Sequence, residues 1–350
     1  MTSHVLIVAG TRPEVIKLRP VWQALAKRQV PTDVVLLLQQ KDLLRDHIHD
    51  LPRAIYLELS RVSGSLVELL AEEYGQLDTL DWSKYAIAVV QGDTTTALAV
   101  AQAAFYEGVP VAHVEAGLRT RTVQDPFPEE MNRRLITQLA SVHYAPTPRA
   151  AERVCAERPD LPPSDVLVTG QTGIDAFHSA LREAPSPAFY EAIEPIRDRG
   201  PCALVTAHRR ENQHMDALIA AIDSLEQRQL SVIWPHHPSR PGIGSTHPFT
   251  HADMARLVTR AEIVITDSGG LSEEACEAER PCIILRRETE RPEVLDSHCV
   301  LLPPSGFAEL PTLVCAMLNR EMRGRQSKGR LGLGCAGELI AVDLERRVRG

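Results

Sequence analysis

Aromatic side chains make up only 4% of this 350-residue sequence, too few to line a groove with stacking platforms for single-stranded nucleic acid. An excess of positive charge is also missing. The formal net charge is -8, which argues against a protein built to grip a phosphate backbone, while leaving room for a local basic pocket. No apolar run approaches the roughly 20 residues of a membrane span. Met1-Thr2-Ser3-His4 runs straight into a strand-like stretch, without the apolar segment of a signal peptide. The seven cysteines are odd in number and none stand in C-x-x-C spacing, so neither a zinc site nor a disulfide framework is expected. They read as buried small hydrophobes in a reducing compartment. These absences describe a cytoplasmic protein with no nucleic-acid partner and no membrane partner.

What is present is an ordinary globular composition, 44% apolar and 24% charged, in a chain long enough that two cores are the natural expectation. Short apolar runs alternate with helical patterns from end to end. Strands are expected at Val5–Ala9, Val34–Leu38, Ala86–Val90, Val111–Val114, Ser141–Ala145 and Val166–Thr169, with an amphipathic helix from Pro13 to about Lys27. After a Pro-rich stretch the pattern restarts, with strands at Ala203–Thr206, Val232–Trp234, Ile263–Thr266 and Cys282–Leu285. Continuous apolar strands separated by helices predict parallel sheets covered on both faces. The expected fold class is therefore α/β: two Rossmann-like doubly wound domains, residues 1–170 and 171–334, facing a central cleft. The Gly- and Arg-rich stretch Arg320–Gly334 reads as irregular, and a last helix within 335–350 is expected to pack back toward the first domain.

Open parallel sheets bind ligands at the carboxyl ends of their strands, so the strand-end residues carry the functional argument. The first strand ends in Gly10-Thr11-Arg12-Pro13-Glu14, with capping-box spacing from Thr11 to Glu14 and a Pro suited to a helix start. Arg12 and Lys17 follow, either as solvated cations of a well-capped helix or as groups at the cleft mouth. Gln91-Gly92-Asp93-Thr94 ends another strand, where Asp93 has the position of a helix cap. His113-Val114-Glu115-Ala116-Gly117-Leu118-Arg119 ends the next. A carboxylate such as Glu115 at the end of an apolar strand is costly unless it is used. Glu129 and Glu130 open a helix, where the dipole explains part of their placement. Three carboxylates converging on one edge, Asp93, Glu115 and Glu129, look like acid/base equipment.

In the second half, His208 with Arg209 and Arg210 at a strand end suits a pyrophosphate. Ser268-Gly269-Gly270 joins a strand to a helix, so that backbone N–H groups at the helix start are open to a phosphate. Glu274, one turn on, has the chemistry to accept from both hydroxyls of a ribose, and Arg291 adds a cation near the same edge.

Taken together and in order, Gly10–Lys17, Gln91–Thr94, His113–Thr120, Pro128–Glu130, Thr206–Asn212, Thr266–Gly270 and Glu290–Glu293 resemble the motifs of the non-hydrolysing UDP-N-acetylglucosamine (UDP-GlcNAc) 2-epimerases. The resemblance spans nearly the whole chain. It implies the two-domain glycosyltransferase-B architecture, a homodimer, no metal and no redox cofactor. It also implies a UDP-sugar substrate epimerised at C2 by anti elimination of UDP to 2-acetamidoglucal and re-addition. Asp93, Glu115, Glu129 and His208 are then the catalytic candidates. Arg12, Lys17, Arg119, Arg209, His237, Ser268, Gly269, Gly270, Glu274 and Arg291 are the substrate-binding ones.

The chain also departs from the pattern. Gln39-Gln40-Lys41-Asp42 lacks the histidine of family members that are activated by a second UDP-GlcNAc, and Gly64-Ser65-Leu66 lacks their glutamine. The expectation is that activity does not depend on such activation. Gln171 replaces the usual Asn, and Arg287 and Glu288 replace a small polar run. His236 and His237 are adjacent and point apart, so they are not expected to bind metal. A hydrolysing 2-epimerase, an enzyme acting on a different sugar nucleotide, a glycosyltransferase on the same architecture and a non-catalytic sugar-nucleotide sensor stay open as alternatives.

Overall fold

The computed structural model describes residues 4–38, 54–59, 65–194, 200–207, 215–235, 249–319 and 327–350. The chain divides into two units, Met1–Ala176 with Gly332–Gly350, and Phe177–Leu331.

In the first unit the described elements are β1 (His4–Ala9), α1 (Arg12–Lys27), β2 (Thr32–Leu38), β3 (Ala54–Glu58), α2 (Leu66–Leu77), β4 (Tyr85–Gln91), α3 (Thr95–Tyr106), β5 (Val111–Val114), α4 (Glu129–Leu139), β6 (Val142–Ala145), α5 (Pro148–Glu157) and β7 (Val166–Val168). The strands form one sheet in the order β3-β2-β1-β4-β5-β6-β7, every pairing parallel. Side chains of β1 alternate between the two faces. Val5, Ile7 and Ala9 pack with Leu18, Trp22 and Leu25 of α1, while Leu6 and Val8 pack with Leu77 of α2 and Ala97, Val100 and Ala101 of α3. Both faces are thus covered, as the unbroken apolar strands require.

The helix α6 (Thr172–Ala180) carries the division between the units, between Ala176 and Phe177, a few residues past the 170/171 boundary read from the sequence. The second unit continues with α7 (Pro187–Ile193), β8 (Cys202–Thr206), α8 (Met215–Glu226), β9 (Ser231–Ile233), α9 (His251–Arg260), β10 (Ile263–Thr266), α10 (Gly269–Glu277), β11 (Cys282–Ile284), β12 (Cys299–Leu301) and α11 (Leu310–Asn319). Its strands run in the order β12-β11-β10-β8-β9, again all parallel. Ala203, Val205, Ile263, Ile265 and Ile283 meet Leu218, Ile222, Leu310 and Val314 in its core.

The last helix, α12 (Ala336–Arg349), belongs to the first unit. Ile340, Ala341 and Leu344 join the α1 side of the core. The hydroxyl of Tyr144 donates to Asp343 at 3.0 Å, and Arg28 bonds Glu338 and Glu345. The contact is close enough that a Cβ on Gly337 would stand 2.6 Å from the Pro20 carbonyl carbon. No helix among the described residues is long and apolar enough to cross a membrane.

Candidate active site

In the first sheet the chain leaves β1 in one direction toward β2 and β3, and in the other toward β4 to β7. The strand order therefore reverses between β1 and β4, and the carboxyl ends of these neighbours are where a doubly wound sheet offers a site. The loop after β1 is tied by Glu14, which accepts from the Thr11 N–H at 2.8 Å, the Thr11 hydroxyl at 2.7 Å and the Thr94 hydroxyl at 2.7 Å. The capping box read from the sequence is present, and its carboxylate also ties the β1 and β4 loops together. Burial raises the Glu14 pKa above the usual carboxylate value. Arg12 is half-buried at the first position of α1.

Glu115 is the first residue after β5. It adopts φ +68°, a left-handed backbone uncommon for a residue with a side chain, and it is 4% exposed. Lys17 donates to both of its oxygens, 2.9 Å to Oε1 and 2.7 Å to Oε2. Gln171 Nε2 donates to Oε1 at 2.7 Å, and Gln91 Nε2 donates to Oε2. Lys17, one of the expected substrate-binding residues, has its ammonium on Glu115, because α1 passes the end of β5 with this side chain pointing toward it.

Asp93 does not cap α3. Thr94 does, accepting from the Ala97 N–H at 2.9 Å. The Asp93 carboxylate is 30% exposed and paired with Arg133, while Asn132 Nδ2 donates to the Asp93 carbonyl at 2.9 Å. One turn of α4 thus holds both ends of this residue. Glu129 opens the same helix and is partly buried. Its neighbour Glu130 is 0% exposed and wholly structural. It accepts from the Thr120 N–H at 3.0 Å, Arg133 Nε at 3.0 Å and Arg134 Nε at 2.9 Å.

Arg119, expected to touch substrate, is buried with Nε and Nη2 on Glu157 at 2.8 and 2.7 Å, Nη2 also on Thr137 Oγ1 at 2.7 Å, and Nη1 on the Leu118 carbonyl at 2.7 Å. Burial raises the Glu157 pKa, but the bonds from Arg119 outweigh it and hold that carboxyl below its ordinary value. This buried guanidinium ties α4 to α5.

Beneath these groups lies a polar layer that the sequence does not announce. Glu73 on α2 is 0% exposed and accepts from the Thr96 hydroxyl. Burial is the main cause that pushes its carboxyl up to about 7, with the nearby Glu14 charge adding to it. A Cβ on Gly10 would stand 2.4 Å from that same Thr96 oxygen, so the loop after β1 crosses directly over the pair. His113 and His143 are register partners on β5 and β6, both 0% exposed. Each gives one ring nitrogen to a carbonyl, Gly92 O at 2.8 Å and Thr137 O at 3.2 Å. Burial pushes them down to about 4 and about 3, so both are neutral at pH 7. Gln91, Arg133 and Gln171 were likewise not identified as site residues, although a polar Gln ending the apolar strand Ala86–Val90 was a visible signal.

In the second unit, Thr206 and Thr266 hydroxyls meet at 2.6 Å across the ends of β8 and β10. The Ser268 N–H donates to Thr266 Oγ1 at 3.0 Å, and Ser268 caps α10. Gly269 lies under the Arg291 guanidinium, where a Cβ would be 2.5 Å from Nη1. On Gly270 a Cβ would meet nothing among the described residues nearer than Ser268 Oγ at 4.0 Å. Arg291 is buried against Glu273 and Glu290, and Glu290 is also held by Arg286 at 2.8 Å. It therefore buttresses the turn rather than projecting outward. Glu274 is engaged through Oε1 by His251 at 3.2 Å, and its Oε2 is buried with no partner among the described residues. His208, Arg209, His236 and His237 lie outside the described residues, as do Gln39–Asp42 and Gly64. Among the described residues no group of three or more His, Cys, Asp or Glu side chains is arranged to hold a metal ion.

A family profile described as UDP-N-acetylglucosamine 2-epimerase matches residues 39–344. The UDP-N-acetylglucosamine 2-epimerase of Neisseria meningitidis serogroup A is 35% identical over 323 residues, covering 85% of this chain and 86% of that protein. A crystal structure of UDP-GlcNAc 2-epimerase from Neisseria meningitidis, bound to UDP-GlcNAc, superposes with TM-score 0.87 at 30% identity, covering 98% of this chain and 100% of the other. The Methanocaldococcus jannaschii enzyme, in complex with UDP-GlcNAc and UDP, gives TM-score 0.83 at 29% identity, with 98% and 99% covered. The two Rossmann-like units are those of the glycosyltransferase-B fold. The carboxylates at the end of the first sheet and the Ser-Gly-Gly helix start of the second thus sit in a chain that belongs to the UDP-N-acetylglucosamine 2-epimerase family, a family of isomerases.

Proposed function

We propose that the chain catalyses reversible epimerisation of UDP-GlcNAc at C2 without hydrolysis. The observation that carries this reading is the convergence of Asp93 and Glu115 at the ends of neighbouring strands β4 and β5, in a chain of this family. In the first step the C1–O bond to UDP breaks and a carboxylate takes the C2 proton, giving 2-acetamidoglucal and UDP. In the second, a proton is delivered to the opposite face of C2 while a UDP oxygen re-forms the bond to C1. Negative side chains favour the carbocation-like sugar, and cationic donors favour the departing pyrophosphate. Asp93 and Glu129 are the groups assigned to the proton, since Asp93 keeps solvent exposure and Glu129 opens α4.

The nucleotide end is assigned to the second unit. Ser268, Gly269 and Gly270 offer N–H groups at the start of α10 to the pyrophosphate, and the buried Glu274 Oε2 suits a ribose hydroxyl. Arg12, His208, Arg209 and His237 complete the proposed set. Neither a metal nor a redox cofactor has a part in these steps. The activated-sugar substrate is the reason to assign the enzyme to the cytoplasm. Self-association as a homodimer is assigned to the apolar side chains that α2, α3 and α4 expose, among them Val67, Phe105, Tyr106 and Met131. Sedimentation of Val67→Glu/Tyr106→Glu tests it: a dimer that becomes a monomer supports the assignment, and an unchanged wild-type mass overturns it.

The direct test is chromatography of the sugar nucleotides formed from UDP-GlcNAc by the purified chain. UDP-ManNAc approaching a fixed ratio from either side is the expected result. Free ManNAc with UDP would transfer the protein to the hydrolysing class.

A further inference from the structure

A carboxylate has about four lone-pair positions, and on Glu115 four N–H donors fill them. Oε1 receives Lys17 and Gln171, and Oε2 receives Lys17 and Gln91. The donors come from α1, from the last residue of β4 and from the residue before α6. They grip the carboxylate from separate parts of the unit, next to a backbone already fixed at φ +68°. An anion held this way has a fixed place and direction, and offers no open lone pair to a proton on a sugar carbon. Asp93, by contrast, is 30% exposed and, among the described residues, pairs with Arg133.

We propose that Gln171 is a positioning residue which, with Gln91 and Lys17, clamps Glu115 as a fixed anion, so that Glu115 stabilises positive charge on the reacting sugar while other carboxylates move the proton. This rests on the function proposed above. The length of Gln171 is what the clamp uses: its amide nitrogen reaches Oε1 at 2.7 Å. Leu is close in size to Gln and has no donor, so Gln171→Leu removes the hydrogen bond with little change in volume.

The experiment combines Gln171→Leu, Glu115→Gln and the double variant with wild type, in steady-state kinetics across pH. For Gln171→Leu the expected result is a kcat lowered roughly 10- to 100-fold, as for a misplaced reacting group, with KM changed by less than about threefold. The acid limb of its pH profile moves to higher pH, because a carboxylate that loses a donor binds a proton more readily. In the Glu115→Gln background the Leu substitution adds little, since the two act through one group. An unchanged kcat and acid limb, or effects that simply add, would overturn the clamp.

A readout without turnover separates this inference from the activity. In 13C-Glu-labelled protein the Glu115 carboxyl signal, assigned by its loss in Glu115→Gln, is titrated in wild type and Gln171→Leu. A midpoint higher in the variant supports the clamp even if wild type transforms no UDP-GlcNAc, which would sink the proposed activity alone. Coincident titrations overturn the clamp even if wild type is fully active.

Discussion

Lys17 Nζ reaches both oxygens of Glu115, at 2.9 and 2.7 Å, across 98 residues of sequence. Both side chains are largely buried, Lys17 at 14% and Glu115 at 3% side-chain exposure, so each neutralises a charge that would be expensive alone.

Removing one partner of such a pair leaves the other uncompensated. Lys17→Met is expected to cost about 3 kcal/mol, the lower end of the range for breaking a buried pair. The Lys17→Met/Glu115→Gln double variant should be less destabilised than the sum of the single ones. Urea denaturation at pH 7 measures both. A Lys17→Met loss within about 0.5 kcal/mol, as at an ordinary surface site, would contradict the pairing.

Glu73 gives the fold an opposite sensitivity to base. Its carboxyl is raised from 4.5 to about 7, chiefly by burial, so between those values the folded chain keeps a proton that the unfolded chain has released. Stability contributed by this group is full below about pH 4.5 and is lost as pH rises through about 7, by on the order of 3 kcal/mol. Glu73→Gln, which stays neutral, should match wild type near pH 4.5 and exceed it at pH 8. Equal stabilities at pH 8 would refute the assignment.

The buried histidines act in the acid direction. Burial depresses His113 to about 4 and His143 to about 3, so below the ordinary value of 6.5 the unfolded chain binds protons that the folded one refuses. Their contribution is intact above about pH 6.5 and is lost on acidification toward pH 4, by on the order of 3 kcal/mol for His113 alone. His113→Gln can still donate to the Gly92 carbonyl and does not titrate. Its stability loss between pH 7 and pH 5 should be visibly shallower than wild type, and an identical slope would count against the argument.

Gly10→Ala places a methyl 2.4 Å from Thr96 Oγ1 and 2.8 Å from its Cγ2. Thr96 must then leave Glu73, and overpacking of this kind costs about 1–3 kcal/mol. A lowered Tm with a weaker kcat is expected, since the loop after β1 leads directly into Arg12 at the start of α1. A fully wild-type Tm would mean that Thr96 has room to turn away.

The central strands that the sequence announces have apolar side chains on both faces. Val5–Ala9, Ala86–Val90, Val111–Val114 and Ile263–Thr266 lie inside the sheets and are legible as unbroken apolar runs. Ala54–Glu58 and Cys299–Leu301, which were not read as strands, are the edges β3 and β12. On β3 Tyr56 is exposed, which weakens the apolar signal, whereas the opposite edges β7 and β9 keep short apolar runs and are legible.

The site divides along a similar line. Asp93 and Glu115 are recognisable because strand ends are local features, and Ser268–Gly270 because a strand-to-helix turn is. The partners are not local. Arg133 meets Asp93, Gln171 meets Glu115 and Lys17 meets Glu115 only through the order in which β1, β4, β5, β6 and β7 assemble. Arg119 is a similar case: its motif position suggests a ligand, while the carboxylate it bonds in the fold, Glu157, stands 38 residues on in α5.

Proton NMR of UDP-GlcNAc in deuterated water, with wild type and with Asp93→Asn and Glu129→Gln, tests the proposed proton transfer directly. Wild type is expected to form UDP-ManNAc carrying deuterium at C2, and each variant to lose at least about 100-fold in exchange rate, as expected of a positioned proton-transfer group. UDP-ManNAc that keeps its original C2 hydrogen, or variants that exchange as fast as wild type, would contradict it.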